Sequence, residues 1–337
     1  MNLEKELQNK IDLLTKPHGS LGLLERTALK YGMIKNSLCP KLPENKKVFV
    51  FSGDHGITES GTSAYPKEVT VQMVTNFLNG GAAINVFSKH NNAEVFIVDA
   101  GVDYDFEPHK NLIVKKVGYG TKNFTKEKAM SLSDAEKSIK FGRDIASEAI
   151  KNGGDLFAIG DMGIGNTATA TAICCAAGIP IDSIIDIGTV INSDTLSKKR
   201  ELIKNAVEFH SPFENPIDII SKVGSYCIGE MIGFMLECTD QKVPFVTDGY
   251  PVTSAAFIAY KINPEVKKYM FAGHKSAVKG HEVLLNLLEA EPLLNLGMRL
   301  GEGTGAVLSF TIIEAAVKML NNMASFESAG ISTGDEL

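Results

Sequence analysis

The chain has 337 residues, of which 44% are hydrophobic and 22% are charged, and its formal net charge is −6. This length accommodates one large or two ordinary domains with a substantial core. The negative charge and the lack of a basic cluster argue against nucleic acid or an anionic membrane as the main partner. Residues 1–10 have no apolar segment of signal-peptide length, and no run of about 18 apolar residues occurs, so we expect a cytoplasmic protein.

The cysteine and histidine spacings give no sign of disulfides or of a metal site. The five cysteines form no C-x-x-C pair, and Cys174-Cys175 lies in an apolar helical run. An odd number of cysteines in apolar surroundings is typical of buried thiols in a reducing compartment. The seven histidines show no zinc-site spacing. We therefore expect no structural metal.

Helical and strand patterns alternate along most of the chain. The first 35 residues predict two helices separated by Lys16-Pro17-His18-Gly19-Ser20. Short apolar runs then predict strands at 47–51, 95–99, 112–117, 156–160, 183–188, 244–247 and 269–273, the last of these being the final strand. Helices are predicted between them, at 66–78, after Gly80-Gly81, at 133–151 behind a Ser133–Glu136 capping box, after the 161–167 loop, and at about 193–209, 225–238 and 276–289.

This alternation predicts an α/β fold. Short strands that are apolar throughout are typical of a parallel sheet covered by helices on both faces. The two chain ends are helical with no strand between them, and they are expected to pack together as a small lobe. The predicted division is a large domain at 36–300 and a lobe made of 1–35 and 301–337. Most strands end in a loop with Gly and Asp, where parallel sheets bind ligands.

One such loop, Gly163-x-Gly165-x-x-Ala168, lies between a predicted strand and a helix. It fits the dinucleotide-binding fingerprint, with Asp186 about 20 residues further on. The hydroxyl-rich helix start after it, including Thr167, suits a monophosphate equally well. A third interpretation is a glycine turn needed only for close packing. These three interpretations remain open at this point.

A second glycine-rich segment surrounds a single carboxylate, in Gly301-Glu302-Gly303-Thr304-Gly305. Glycines let a ligand approach the main chain, and the first turn of the following apolar helix offers unpaired N–H groups to an anion. Glu302 is therefore expected to be ionised and able to accept a proton. The ordinary alternative is an acidic residue that only favours the helix start.

The other strand-end loops carry polar groups that each have a structural explanation as well. Asp54-His55 suits a metal or acid–base pair, but such pairs more often bond to loop backbone. Ser63–Pro66 is either an aromatic pocket wall or a helix-entry turn. Asp248, at a strand end, likewise has both a functional and a structural explanation. Lys199 matters only if it is directed at an anion, and the hydroxyl after His274, on Ser276, is either a ligand or a helix cap.

Several longer motifs, in order, resemble the nicotinate-nucleotide:dimethylbenzimidazole phosphoribosyltransferase family, which activates the lower ligand of cobamides. The resemblance extends over nearly the whole chain. The motifs are Lys16-Pro17-x-Gly19-Ser20-Leu21-Gly22, Gly53-Asp54-His55-Gly56, Ser63-Ala64-Tyr65-Pro66 with Glu68-Val69-Thr70, Gly80-Gly81-Ala82-Ala83-Ile84-Asn85, Gly163-Ile164-Gly165-Asn166-Thr167, Asp248-Gly249-Tyr250, Pro292-Leu293-Leu294 and Met298–Gly305.

The resemblance implies a Rossmann-like sheet with a small lobe from both chain ends, assembled as a homodimer. It implies transfer of phosphoribose from nicotinate mononucleotide to a lower-ligand base, by default 5,6-dimethylbenzimidazole, without a metal or cofactor. It implies Glu302 as the general base and Asp161 as the second active-site acid. The phosphate and nucleotide partners that it implies are Gly163, Ile164, Gly165, Asn166, Thr167, Lys199 and Ser276. The base pocket that it implies comprises Ser63, Tyr65, Glu68, Met73 and Leu300.

The chain departs from the family pattern at four positions. Asp161 stands where a glutamate is usual, Val190 where a glycine is common, and Cys227 and Val278 where acids are expected. Altered acids put the identity of the accepting base in doubt. An alternative hypothesis is therefore a paralogue that activates a phenol or a purine, including one that works as half of a heterodimer with a related chain.

Overall fold

The computed structural model describes residues 2–185 and 193–332, with the side chains of 193–195 excluded. Within them the chain forms two compact units, made of the described parts of Met1–Glu44 with Ser309–Leu337 and of Asn45–Leu308. The predicted boundaries at 35/36 and 300/301 therefore differ from those of the compact units. Residues 301–308 belong with the sheet, because the backbone N–H groups of Gly303 and Gly305 donate hydrogen bonds to Asp248.

The larger unit contains a seven-stranded sheet in which every strand pair is parallel. The strand order is β3-β2-β1-β4-β5-β6-β7. The strands are β1 (Lys46–Gly53), β2 (Glu94–Gly101), β3 (Leu112–Val114), β4 (Leu156–Met162), β5 (Phe245–Thr247), β6 (Met270–His274) and β7 (Pro292–Leu294). The predicted α/β fold with a Rossmann-like parallel sheet is confirmed.

Helices cover both faces of the sheet and form the smaller unit. In chain order the α-helices are α1 (Leu3–Asp12), α2 (Leu23–Ile34), α3 (Val69–Leu78), α4 (Ala83–His90), α5 (Leu132–Lys151), α6 (Asn166–Ala176), α7 (Ile181–Ile184), α8 (Ser193–His210), α9 (Pro216–Val223), α10 (Tyr226–Asp240), α11 (Tyr250–Ile262), α12 (Val266–Tyr269), α13 (Lys279–Leu287), α14 (Thr304–Leu308), α15 (Phe310–Asn322) and α16 (Phe326–Ala329). A 3-10 helix spans Gly56–Ser60.

Three local predictions are wrong. Of the strand predicted at 183–188, residues 183–184 belong to the helical turn α7, and 186–188 lie outside the described residues. β7 is a further strand after β6; it has only three residues, and they are partly exposed. Helix α5 is capped by Ser131, whose hydroxyl accepts the Asp134 N–H at 3.0 Å, and not from Ser133.

The core of the larger unit packs aromatic side chains between the sheet and α10. Phe234 of α10 lies 4.8 Å from Phe49 of β1 and 5.4 Å from Phe157 of β4, measured between ring centroids. Offset and edge-to-face aromatic pairs at this distance stabilise a core beyond the area that they bury. This packing fixes β1 and β4 side by side and so fixes the relative position of the loops that follow them.

The smaller unit has its own apolar core, which joins the two chain ends. Leu7 and Ile11 of α1, Ala28 of α2, and Ala316 and Leu320 of α15 are all buried in one cluster.

Among the described residues, one helical stretch, Thr304–Asn322, is long and apolar enough by composition to cross a membrane, with a mean hydropathy of 1.2. Since 56% of that stretch is buried within the protein, its apolar character is that of a core helix.

Candidate active site

The candidate site lies at the carboxyl edge of the sheet, between the loops that follow β1 and β4. These strands are neighbours, but the chain proceeds from β1 to one side of the sheet and from β4 to the other. Such a reversal leaves a crevice between the two loops, which is the usual ligand position in open parallel sheets. The sheet topology therefore places a cavity where the glycine-rich loop at Gly163 begins.

A cavity of about 360 Å³ occupies this position. It brings together most of the residues singled out from the sequence, including Glu302, Lys199 and Tyr65. Its lining residues are Thr62, Ser63, Ala64, Tyr65, Val69, Met73, Met162, Gly163, Ile164, Gly165, Asn166, Thr167, Ala168, Lys199, Leu300 and Glu302. An apolar and aromatic set and a glycine- and hydroxyl-rich set thus share one space, which suits a ligand with a flat ring and an anionic group.

Three of the site residues that the resemblance implies do not line this cavity. Asp161 is buried behind the loop, where its carboxylate accepts a hydrogen bond from Asn166 Nδ2 at 2.7 Å. Glu68 is exposed at the start of α3. Ser276 is buried after β6, where its hydroxyl accepts the Val278 N–H at 3.3 Å.

Glu302 lies in an unusual backbone turn. Its φ is +64°, and the flanking Gly301 and Gly303 have φ of +91° and +90°. Left-handed conformations suit glycine but cost a glutamate about 1 kcal/mol. The turn lies directly on β4, because a Cβ added to Gly160 would be only 2.4 Å from the backbone carbon of Glu302. The left-handed backbone of Glu302 and its close contact with Gly160, which has no side chain, together hold the carboxylate at the cavity.

The hydrogen bonds around Glu302 differ from the expected ones. The first N–H groups of α14 do not serve Glu302; those of Gly305 and Ala306 donate to Asp248 Oδ1 at 2.8 and 3.1 Å. Glu302 Oε2 instead accepts one long bond, of 3.4 Å, from the Ile84 N–H at the start of α4. Among the residues that the structure describes, this weak donor is the carboxylate's single hydrogen-bond partner.

The expectation that Glu302 would simply stay ionised is wrong. Burial raises the pKa of Glu302 to about 7, the Ile84 N–H lowers it, and the negative charge of Asp248 raises it further. Burial likewise raises the pKa of Asp161 to about 7 against the lowering effect of Asn166. A carboxylate with a pKa close to neutral is a stronger base than an ordinary glutamate and is still ionised in part at pH 7.

This raised pKa makes the stability of the protein depend on pH. A carboxyl whose pKa is 4.5 unfolded and about 7 folded stabilises the fold fully below pH 4.5, and this contribution is lost as the pH rises through 7. The Glu302→Gln variant, which stays neutral, should exceed the wild type by about 1–2 kcal/mol in free energy of unfolding at pH 8.5. Thermal unfolding followed by calorimetry should show a gain that shrinks towards pH 4.5; a gain independent of pH would contradict this origin.

The Gly163 loop is shaped by packing as well as by any ligand. A Cβ added to Gly163 would be 2.2 Å from the Gly53 carbonyl oxygen, so only glycine allows the loops after β1 and β4 to touch. The Ile164 N–H donates to the Thr70 hydroxyl at 3.1 Å, and the Thr167 N–H donates to Asn166 Oδ1 at 2.7 Å. These contacts fix the loop conformation from within the protein.

Sequence reasoning missed three contributors to the site, namely Thr70, Gly160 and the role of Asp248. Thr70 faces the Gly163 loop from the buried side of α3, as its position one residue after the helix start allows. Gly160 ends an apolar run, and a glycine inside a strand is a known signal of close backbone approach. No local signal links Asp248 to a turn 54 residues later in the chain, because only the neighbouring strands bring them together.

Of the positions at which the chain departs from the family pattern, the described ones, Asp161, Cys227 and Val278, do not line the cavity. Cys227 is buried, with its Sγ 3.7 Å from His55 Nε2 and 3.2 Å from the Ser225 hydroxyl. Val278 precedes α13, and Val190 lies outside the described residues. Asp54 Oδ2 accepts the Asp103 N–H, as in the interpretation of a bond to loop backbone, whereas His55 Nδ1 lies 2.9 Å from the Thr169 hydroxyl of α6. Across 2–185 and 193–332, no group of three or more His, Cys, Asp or Glu side chains is arranged to hold a metal ion.

Comparison with known proteins connects this geometry to one family. A family model described as "Phosphoribosyltransferase" matches residues 1–331. The nicotinate-nucleotide–dimethylbenzimidazole phosphoribosyltransferase of Geobacter sp. strain M21 is 46% identical over 330 residues, which cover 97% of this chain and 94% of that protein. The enzyme of the same name from Geobacter sulfurreducens is 44% identical over 335 residues, covering 99% and 95%.

The structural comparison agrees. The crystal structure of CobT from Thermus thermophilus is 39% identical and has a TM-score of 0.95, covering 98% of this chain and 99% of that one. The alternative of an NAD-binding enzyme is wrong: in a dinucleotide-binding fold the glycine fingerprint follows the first strand, whereas Gly163 and Gly165 follow β4. Asp186, which that alternative required, lies outside the described residues. The chain belongs to the nicotinate-nucleotide:dimethylbenzimidazole phosphoribosyltransferase family.

Proposed function

We propose that this chain transfers phosphoribose from nicotinate mononucleotide to a lower-ligand base, by default 5,6-dimethylbenzimidazole, in assembly of the cobamide nucleotide loop. The observation that carries the proposal is that one cavity is lined by Glu302, with a pKa of about 7, by the Gly163 loop, and by the buried Lys199. A basic carboxylate, a glycine-rich loop and a cation are the groups that this transfer needs in one place.

In the proposed reaction a ring nitrogen of the base attacks the anomeric carbon of the ribose. The new nitrogen–carbon bond forms on the face opposite nicotinate, and the bond between the ribose and the nicotinate nitrogen breaks. Nicotinate leaves with that electron pair, and the configuration inverts to give α-ribazole 5'-phosphate. Glu302 takes the proton that the attacking base loses from its other ring nitrogen. Because the pyridinium is already a good leaving group, the enzyme needs chiefly positioning and a base.

Different lining residues bind the base and the phosphoribosyl group. Ser63, Tyr65, Met73 and Leu300 form the pocket for the flat base, since they supply an aromatic ring, two apolar side chains and a hydroxyl beside Glu302. Gly163, Ile164, Gly165, Asn166, Thr167 and Lys199 hold the phosphoribosyl part. Asp161 acts on this loop through its bond to Asn166. Glu68 and Ser276 do not line the cavity. We therefore assign Glu68 to the outer part of the base site and Ser276 to the outer part of the phosphate site.

Lys199 is the residue whose role in binding the phosphate is most directly testable. It is 4% exposed on α8, and a charge-assisted bond to a phosphate contributes about 1.5–3 kcal/mol. The Lys199→Ala variant should therefore raise the KM for nicotinate mononucleotide by roughly 10–100-fold, with a smaller change in kcat. Steady-state kinetics measures both. The exposed neighbour Lys198 gives the matched control, and equal effects of the two substitutions would refute a phosphate contact.

A substrate panel tests the function as a whole. The purified chain is incubated with nicotinate mononucleotide and separately with benzimidazoles, purines and phenols, and the products are identified by mass. Transfer to 5,6-dimethylbenzimidazole is the expected result, and transfer only to phenols or purines would establish the paralogue hypothesis instead. Product formed only after a related chain is added would replace the proposed homodimer with a heterodimer, and the mass of the native complex distinguishes the two assemblies.

A further inference from the structure

Asp248 connects the end of β5 to the turn that carries Glu302. It follows β5, is 1% exposed, and does not line the cavity. Its Oδ2 accepts the Gly303 N–H at 3.1 Å, and its Oδ1 accepts those of Gly305 and Ala306 at 2.8 and 3.1 Å. One buried carboxylate thus receives three backbone hydrogen bonds from the residues immediately after Glu302.

We propose that Asp248 is the positioning residue of the reaction, which holds the strained Glu302 turn on the sheet and keeps its carboxyl poised to accept a proton. This inference rests on the proposed role of Glu302 as the base. Asp248 itself does not line the cavity, so its effect must pass through Glu302.

The geometry gives a reason why such a residue is needed. Three consecutive residues, Gly301 to Gly303, are in left-handed conformations, and one of them is a glutamate. A turn of this kind persists only when its surroundings over-determine it. Within 2–185 and 193–332 the carboxylate of Glu302 accepts one long bond, from the Ile84 N–H, and this bond is too weak to anchor the turn. The three bonds to Asp248 and the close contact with Gly160 provide the anchor.

The charge of Asp248 acts in the same direction as the geometry. It is among the causes that raise the pKa of Glu302, after burial, and it also raises that of Asp161. The other groups that face this region are His274, whose Nε2 lies 3.4 Å from Asp248 Oδ1, His281 beyond it, and Lys199 at the cavity. Burial lowers the pKa of His281 to about 3, so it stays neutral.

The Asp248→Asn variant removes the charge and turns one acceptor into a donor, while it keeps the shape. It should lower kcat by roughly 10–100-fold with the KM for nicotinate mononucleotide changed less than about threefold. In the pH profile of kcat/KM, the ascending limb, which is expected near pH 7 in the wild type, should move to lower pH. In a Glu302→Gln background the same substitution should cost almost nothing more, because residues that act as a unit are not additive.

Asp99 provides the matched control. It is also a buried strand-end aspartate, 1% exposed, which accepts the Val102 N–H at 2.9 Å and pairs with Lys116. The Asp99→Asn variant should lose stability without moving the pH limb. If Asp248→Asn behaves like Asp99→Asn, or multiplies the defect of Glu302→Gln, Asp248 is a structural residue and the proposal is wrong.

A measurement on the wild type keeps the proposal testable even if Asp248→Asn fails to fold. Amide hydrogen exchange of Gly303, Gly305 and Ala306 should show common protection, and rapid exchange of these amides would overturn the proposal. Failure of the proposed function is recognised separately: it would appear as wild-type turnover in Glu302→Gln, or as no phosphoribosyl transfer by the wild type. Neither of those outcomes depends on Asp248.

Discussion

The Glu302→Gln variant should lower kcat by roughly 10²–10⁴ while it still binds nicotinate mononucleotide. Glutamine keeps the size of the side chain but cannot take a proton. The wild type should gain activity as the pH rises through about 7, because the base works only when the raised pKa of Glu302 has been passed. The variant should lose this dependence. Turnover measured from pH 5.5 to 9, with calorimetric titration of the nucleotide, tests both statements.

The control for this prediction is the exposed Glu94, at the start of β2 and remote from the cavity. Glu94→Gln should retain wild-type kcat and the wild-type pH profile. Turnover close to wild type in Glu302→Gln would exclude Glu302 as the base and would turn attention to Asp161, whose pKa is also raised to about 7.

The second large effect is expected from a single methyl group on β4. In the Gly160→Ala variant the new Cβ would lie 2.4 Å from the carbon of Glu302 and the nitrogen of Gly303, and backbone atoms cannot rotate away from it. The turn must shift, and a displacement of about 1 Å at a catalytic group typically costs about 100-fold in rate. We expect that loss in kcat, with a destabilisation of about 1–3 kcal/mol. Kinetics below the unfolding temperature, together with thermal unfolding, separates the two effects.

Gly53 on the adjacent strand β1 serves as its control. A Cβ there would meet its nearest atoms, on Cys227, at an ordinary 3.5 Å. The Gly53→Ala variant should therefore change kcat far less than Gly160→Ala does. Unchanged turnover in Gly160→Ala would show that the Glu302 turn is free to move without loss of function.

The amino-acid pattern was sufficient to predict the fold class and most of the parts of the site. Apolar runs such as Val48–Phe51 reveal buried strands because both of their faces are covered, and the alternation with helices then requires a parallel sheet. Strand β7 is too short to be recognised from its sequence, and the apolar residues at 184–185 indicate a strand where the chain forms the helical turn α7. The sequence predicts helix α5 correctly but indicates a cap two residues too late, because Ser131 and Ser133 offer the same signal.

The motifs alone also indicated which residues to examine, since Glu302, Lys199 and the Gly163 loop come from separate motifs and line one cavity. How these residues work follows from the folded structure. It places Asp161 behind the loop, directs the helix-start N–H groups to Asp248, and buries Glu302 so that its pKa rises to about 7. These outcomes depend on distances between residues far apart in the chain and on the exclusion of water around a charge. Local sequence specifies neither, because both arise only when the strand ends meet at one edge of the sheet.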